Sequence, residues 1–387
     1  MDKIVGSTWV EINLDNLKEN LKNIRGLVKK DVKICGVVKA DAYGHGAKVV
    51  SKYLERENLV DYIAVSRLEE AMELRLDGLK LPILCLGYIP KEDLKYAISN
   101  DISITVYSLD VAEEINCICS KSKNKAKVHI KIDTGMSRLG FKPNEEGISD
   151  IVKISKLENI LVEGIYTHFA TADEVDKTNT KMQVLSYRNV IDRLKEECVE
   201  IPIKHISNSA AIMDMDELNL DMVRCGVIMY GCYPSNEVNI DKLPLKSVMT
   251  FKTRISHVKE VKDNTGVSYG YTYKTKSTEK IATIPVGYAD GFSRMQKNTK
   301  VTIKGEVFDV VGRICMDQCM VRIDKDVEVN VGDEVILFGE GGRTVEDIAN
   351  DLGTINYEVL CMISRRVSRV YLEGLDVCSA RNYLIEG

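Results

Sequence analysis

The chain has 387 residues, is 44% apolar and 29% charged, and carries a formal net charge of −5. Both signs are mixed along it, which argues against a protein held on nucleic acid or on a membrane surface by charge. No apolar stretch approaches the roughly 20 residues that span a bilayer, and the opening MDKIVGSTWVEINLDNL shows no signal-peptide pattern.

In chain order, LDNLKENLKNIRGLVKK comes first, with Leu14, Leu17, Leu21, Ile24 and Leu27 three or four apart, the period of an amphipathic helix. Short β-branched apolar runs follow at 33–40, 61–66, 82–87, 102–107, 127–133, 162–169, 203–207 and 222–231. Helix-period segments separate them, from Arg67 to Leu76 and from Lys181 to Glu197 among others. Strand-like runs alternating with helices predict an α/β fold, a TIM-type (β/α)8 barrel over residues 13–241. A doubly wound open sheet is the competitor, but no Gly-x-Gly-x-x-Gly opens a helix near the first run. After Pro244 alternation dominates, at 250–261, 280–291, 300–317 and 332–339, broken by Gly and Asn turns. That predicts a mainly antiparallel β domain over residues 242–387. One short helix is expected at 345–353, with Gly353 as its C-cap. Eleven cysteines at irregular spacing, none in a Cys-x-x-Cys pair, fit reduced thiols of a cytoplasmic protein, and no metal is expected.

In a parallel barrel the active site lies at the C-terminal ends of the strands. Lys39, Lys131, Asp133, Arg138, His168, Asn208, Ser209 and Arg224 all fall there or close by. A lysine at such a place, desolvated and beside other cations, is a candidate for Schiff-base chemistry. The plain alternative is a lysine whose head reaches solvent from a strand end. Gly44 and Gly46 allow positive φ and close backbone approach, and Tyr43 offers a hydroxyl suited to a phosphate oxygen.

VVKADAYGHG closely resembles the pyridoxal-phosphate attachment motif of the bacterial alanine racemase family. KIDTGMSRLGF, GIYTHFATAD, HISNSAA, MVRCGVIMYG, VSYG, TIPVGYADG, GRICMDQCM and INYEVLC match further blocks of that family in order. Ser137 stands where the family pattern has glycine, and Ser368 where proline is usual. The resemblance implies a pyridoxal 5'-phosphate enzyme that interconverts L- and D-alanine, supplies D-alanine for peptidoglycan, and works as a homodimer with shared active sites. It implies that the first strand, residues 1–12, joins the β domain. Lys39 would hold the cofactor and act as one base, and Tyr269 of a second copy would act as the other, on the opposite face. Tyr269 taken alone reads as an ordinary strand-end tyrosine, and the match of the surrounding block reverses this. Tyr43, Ser209, Tyr357 and the backbone N–H groups of Gly226 and Val227 would hold the phosphate, and Arg224 would face the pyridine nitrogen. Arg138 and the backbone of Met316 would take the substrate carboxylate. His168 with Arg224 would supply a positive field favouring the Tyr269 phenolate. Lys131 would be carbamylated and orient Arg138; its rival reading is a plain lysine paired with Asp133 or another acid. Tyr288 and Arg294 would line a narrow entrance, and Asn208 and Asp317 would support the site. Ser209 also reads as the N-cap of the helix that follows it.

Three other classes compete: a racemase for another amino acid, a basic-amino-acid decarboxylase on the same barrel, and a non-catalytic cofactor carrier. Arg224 in place of an acid disfavours the second. Residues 245–387, with Tyr269 among them, disfavour the third.

Overall fold

The chain enters through β1 (Thr8–Asn13), which belongs to neither neighbour in sequence but to a sheet completed much later. Asn13 ends the strand and caps the helix Leu14–Leu27, its side chain accepting from the Asn16 N–H. Leu14, Leu17, Leu21 and Ile24 are the buried stripe of that helix. Asn20 lies in the same stripe, and its amide exchanges hydrogen bonds with the Lys246 backbone, N–H and carbonyl alike, at 2.8 Å each. One polar residue thus fastens the first helix to the chain that leaves the barrel.

Eight parallel strands follow: β2 (Lys33–Val37), β3 (Tyr62–Val65), β4 (Ile83–Cys85), β5 (Ile102–Val106), β6 (Ala126–Lys131), β7 (Ile160–Tyr166), β8 (Ile203–His205) and β9 (Met222–Cys225). Each pairs with the next from β2 to β8, and β9 pairs back onto β2. The ring closes between β8 and β9 through Asp221 N to Lys204 O (3.0 Å) and Arg224 N to Ser207 O (3.1 Å). This closure excludes the doubly wound alternative. The computed structural model describes residues 5–122, 125–324 and 326–385, so residues 1–4 of the expected first strand lie outside the described residues.

The second unit holds β10 (Met249–Arg254), β11 (His257–Val261), β12 (Gly266–Val267), β13 (Tyr273–Lys274), β14 (Glu279–Ile284), β15 (Lys300–Ile303), β16 (Glu306–Val311), β17 (Cys319–Ile323), β18 (Glu334–Phe338), β19 (Ser368–Glu373) and β20 (Asp376–Arg381). Ten strands form one sheet, in the order β11-β14-β17-β16-β15-β18-β10-β1-β19-β20, antiparallel except where β1 runs parallel to β19. A single apolar cluster runs from the barrel into this sheet.

Several predicted runs are shorter than their composition indicates. The run 222–231 is a strand only to Cys225; Val227–Tyr230 is a turn of 3-10 helix closed by Gly231 at φ 83. The run 250–261 is two strands, broken at Ile255 and Ser256. The helix expected at 345–353 spans Val345–Leu352, with Gly353 at φ 69 as its C-cap.

Candidate active site

The strand that leads to Lys39 stops at Val37, two residues before the lysine. Lys39 therefore does not end a strand. It opens a left-handed turn in which Ala40, Asp41, Ala42 and Tyr43 all have φ between 52 and 56, followed by Gly44 at φ 81. Left-handed backbone costs an L residue about 1–2 kcal/mol, so four in succession persist only where neighbours hold them. The Glu70 carboxylate accepts from Ala40 N at 2.6 Å and from the N–H groups of Ser66 and Arg67. Asp41 accepts from Ala47 N (2.8 Å) and from the Tyr383 hydroxyl (2.6 Å). Arg369, fully buried, donates from Nε to Gly44 O. His45, also fully buried, has Nδ1 at 3.0 Å from the carbonyls of both Ala42 and Tyr43. Carbonyls only accept, so Nδ1 carries a proton. Burial pushes the ring's pKa down to about 4, so it is neutral. The role of His45 is to clamp the turn.

The turn leaves Lys39 partly exposed at the C-terminal mouth of the barrel. Burial, then the Arg138 charge, lower its pKa from the ordinary ammonium value. Lys131 is pushed further, to about 7, by burial and then by Arg224. Its Nζ donates to Ile132 O (2.9 Å) and sits over the Tyr166 ring. Lys39, Lys131, Arg138 and Arg224 all act on His168, which burial and these four cations together hold well below its usual pKa. His168 is therefore neutral, and the expectation that it adds positive field fails for that reason. Its Nδ1 lies 3.4 Å from Arg224 Nη2 and can only accept there. Arg224 is buried, with both Nη atoms held by protein acceptors that include the carbonyls of His205 and Thr167 (2.8 Å each).

A second cluster lies at the same mouth. Gly226 N donates to Ser209 Oγ at 3.1 Å. A Cβ on Gly226 would come within 3.0 Å of the Tyr43 hydroxyl and 3.3 Å of Ser209 Oγ, so the glycine keeps open a space between two hydroxyls. Tyr357 packs beside Tyr43, ring centroids 6.0 Å apart. Val227 is buried behind them. The N-cap of the helix Ser209–Asp214 is Asn208, whose side chain accepts from Ala211 N (3.1 Å), not Ser209. This frees the Ser209 hydroxyl for the cluster. Ser137, at the position expected to be glycine, has φ 55 and is held there by its N–H donating to Asp133 Oδ1 (2.9 Å).

The remaining predicted residues gather elsewhere. Tyr269 and Met316 are 65% and 52% exposed on loops of the β unit. Ser268 Oγ donates to Arg313 O (2.6 Å), and the N–H groups of Tyr288 and Ala289 donate to the carbonyls of Cys315 and Met316. Arg366 pairs with Asp317 (2.8 Å), and Arg294 is exposed on the segment beyond Gly291. One chain thus holds two constellations, a cationic barrel mouth and an exposed tyrosine-bearing loop set.

The histidines in KVHIKID and IKHIS escaped the reading of the sequence. His129 and His205 are fully buried inside the barrel, with Glu163 beside them. The available signal was a histidine at an inward position of a strand with no apolar substitute. Glu70 and Asp41 were missed too, because carboxylates on helix starts and turns are common.

The profile of the alanine racemase N-terminal domain matches residues 12–234, and that of the alanine racemase C-terminal domain matches residues 248–371. The alanine racemase of Methanococcus maripaludis is 50% identical over 367 residues, 94% of this chain and 98% of that one. Among solved structures, alanine racemase of Clostridium difficile 630 is 59% identical with a TM-score of 0.97, covering 99% of this chain and all of that chain. The Bacillus anthracis enzyme with bound L-Ala-P is 35% identical with a TM-score of 0.93, again over 99% of this chain and all of its own. With matches over nearly its whole length to both domains, this chain belongs to the alanine racemase family of isomerases.

Proposed function

We propose that this protein is a pyridoxal-phosphate-dependent alanine racemase that works by two bases from two copies of the chain. The observation that carries the reading is the cradle kept open by Gly226 between the Tyr43 and Ser209 hydroxyls, facing the cationic mouth that contains Lys39. Hydroxyls, main-chain donors and cations suit a phosphate dianion. Tyr43, Ser209, Tyr357 and the N–H groups of Gly226 and Val227 would hold it. Arg224, whose hydrogen bonds to the described residues run from its two Nη atoms, would meet the pyridine nitrogen. Lys39 is the amine for the cofactor aldehyde. When bound, the cofactor supplies an electron sink that makes the α-proton of an amino acid removable.

The residues of the chain do the rest. Burial and the Arg138 charge lower the Lys39 pKa, which favours its neutral amine, the form that takes a proton on one face of the α-carbon. Arg138 and the Met316 N–H of a second copy bind the carboxylate. An anionic, carbamylated Lys131 orients Arg138 and relieves the repulsion of two cations. Tyr269 of the second copy exchanges the proton on the opposite face. Arginine keeps its proton, so Arg224 would hydrogen-bond the pyridine nitrogen without protonating it, and the bound cofactor would be a weaker electron sink. Tyr288, Arg294 and Asp317 line or support the entrance, with Asn208 and His168 behind. Residues 13–241 serve as the cofactor unit and 242–387 as the donor of Tyr269. Eleven free thiols fit a cytoplasmic protein, and the homodimer would supply D-alanine for peptidoglycan.

The test is a coupled assay of D-alanine formation from L-alanine, on wild type, Lys39→Ala, Tyr269→Phe and a mixture of the two variants. Both variants are expected to lose activity. Their mixed dimers regain one intact site in two, which returns roughly a quarter of wild-type activity after random exchange. Full activity of Tyr269→Phe in both directions would defeat the two-base reading, and no recovery on mixing would defeat shared sites.

A further inference from the structure

A barrel of this type usually fills its bore with stacked aliphatic side chains. Here the bore carries a polar line. Thr105, His129, Tyr166, His205 and Arg224 are buried within it, and Glu163 is half-buried at the end away from Lys39. Glu163 Oε2 lies 3.2 Å from His129 Nε2. His129 Nδ1 lies 2.9 Å from His205 Nε2, and His205 Nδ1 lies 3.0 Å from Arg224 Nη1. The Ser103 hydroxyl donates to the same Glu163 oxygen at 3.0 Å.

The protons in this line have one arrangement. Arginine only donates, so His205 Nδ1 accepts. Burial and the Arg224 charge hold the His205 pKa far below its usual value, so the ring is neutral and its single proton is on Nε2. That N–H donates to His129 Nδ1, which leaves the His129 proton on Nε2, aimed at the Glu163 carboxylate. Every link points the same way, and the carboxylate is its terminus. The Tyr166 ring stacks on His205 at 4.7 Å and 11°, fixing its plane. Gly164 is a glycine because a Cβ there would come within 2.2 Å of His129 Nδ1.

We propose that Glu163 is a positioning residue for the barrel-mouth site, acting through His129 and His205 to fix Arg224. The proposal rests on the reading that Arg224 faces the pyridine nitrogen. Because arginine keeps its proton, the line moves no proton; it orients and polarises. Without the carboxylate, the pair of imidazoles is free to reverse. His205 then presents an N–H at Nδ1 to the Arg224 N–H, and two donors push the guanidinium off its axis.

The chain has five histidines, so each is assignable by single substitution. The experiment is 15N NMR of histidine-labelled full-length enzyme, as wild type, Glu163→Gln and Glu163→Leu, alongside alanine racemisation kinetics. In wild type, His129 and His205 are expected as neutral Nε2–H tautomers. Glu163→Gln keeps that pattern, because its amide oxygen accepts the same bond. Glu163→Leu shifts His205 towards the Nδ1–H form and lowers kcat about tenfold or more, as loss of a hydrogen bond to a charged group does. A proton on Nδ1 of His129 or His205 in wild type, reversal in Glu163→Gln, or unchanged histidine signals and kcat in Glu163→Leu overturns the proposal. If Glu163→Leu does not fold, the first two spectra decide. Wild type inactive on alanine with the expected spectrum defeats the functional reading and leaves the relay standing.

Discussion

Gly46→Ala is a direct test of the turn that presents Lys39. Gly46 has φ 92 and begins the helix Ala47–Arg56. An L side chain in this region costs about 1–2 kcal/mol. The new methyl would also overlap the Tyr371 hydroxyl outright and lie 3.1 Å from Tyr371 Cζ. Tyr371 is fully buried, so it cannot swing into solvent, and overpacking of this kind costs about 1–3 kcal/mol. Alanine returns roughly 0.5–1 kcal/mol through the unfolded chain, so the net loss is about 2–4 kcal/mol. The Tyr371 hydroxyl is buried with no hydrogen-bond partner among the described residues, so Tyr371→Phe alone is expected to be neutral or stabilising by about 1 kcal/mol. The double variant then recovers the overlap but not the backbone strain. Urea unfolding of the four proteins forms a double-mutant cycle, with an expected coupling of about 1–3 kcal/mol in favour of the pair. A shift of Lys39 by about 1 Å in Gly46→Ala should also lower turnover roughly 100-fold. Additive effects within about 0.3 kcal/mol, or wild-type stability of Gly46→Ala, would refute the argument that this hydroxyl and this φ demand glycine.

Two further outcomes follow from the mouth of the barrel. Lys131, held at about 7, is largely the free amine that takes up CO2 at mildly alkaline pH. Intact mass in bicarbonate is expected to show wild type heavier by one CO2 and Lys131→Met not, and an unmodified wild type would exclude the carbamate. In CO2-free buffer the unfolded chain binds the proton that folded Lys131 sheds, so its unfavourable contribution is full below about pH 7, shrinks as pH rises, and vanishes above the ordinary lysine value of 10.5. Lys131→Met should flatten that rise in urea stability, and an unchanged slope would count against the depressed pKa. Ser137→Gly relieves about 1–2 kcal/mol of left-handed strain and loses roughly 0.5–1 kcal/mol to unfolded-state freedom, so it is expected to stabilise by about 0.5 kcal/mol; a loss of stability would show that Asp133 holds the serine without strain.

What was legible in the sequence followed from periodicity. Strand-like runs alternating with helices gave a barrel, because parallel strands need crossovers and buried strands read as continuous apolar runs. Alternation after Pro244 gave the antiparallel sheet. The place of Lys39 at the barrel mouth was legible, but not the shape around it: KADAY carries no glycine, and nothing in its composition announces four left-handed residues. That conformation comes from Glu70, Asp41, His45 and Arg369, one of them about 330 residues away in sequence. The same holds for β1, whose partners β10 and β19 are set by long-range pairing. The polar bore was illegible for a different reason. His129 and His205 look like strand interruptions until the barrel closes and brings them within 2.9 Å.

The two arms of the proposed reaction are built in opposite ways, and the difference gives a physical reason for a site shared by two chains. The turn that carries Lys39 is held by contacts from its own chain, from the barrel and from β19 and the segment beyond it. Tyr269 sits on a loop with positive φ at Ser268, Gly270 and Tyr271, braced by Arg313 and Cys315, and leaves its ring 65% exposed. A large aromatic side chain held on strained backbone and left in solvent is costly twice over, in conformation and in uncovered apolar surface. Seating that ring in the mouth of a second copy would remove the second cost and satisfy the requirement of racemisation for a proton donor on each face. In the proposed assembly, opposed faces would be a consequence of symmetry, since a two-fold axis would deliver each loop to the other chain's lysine from outside the barrel.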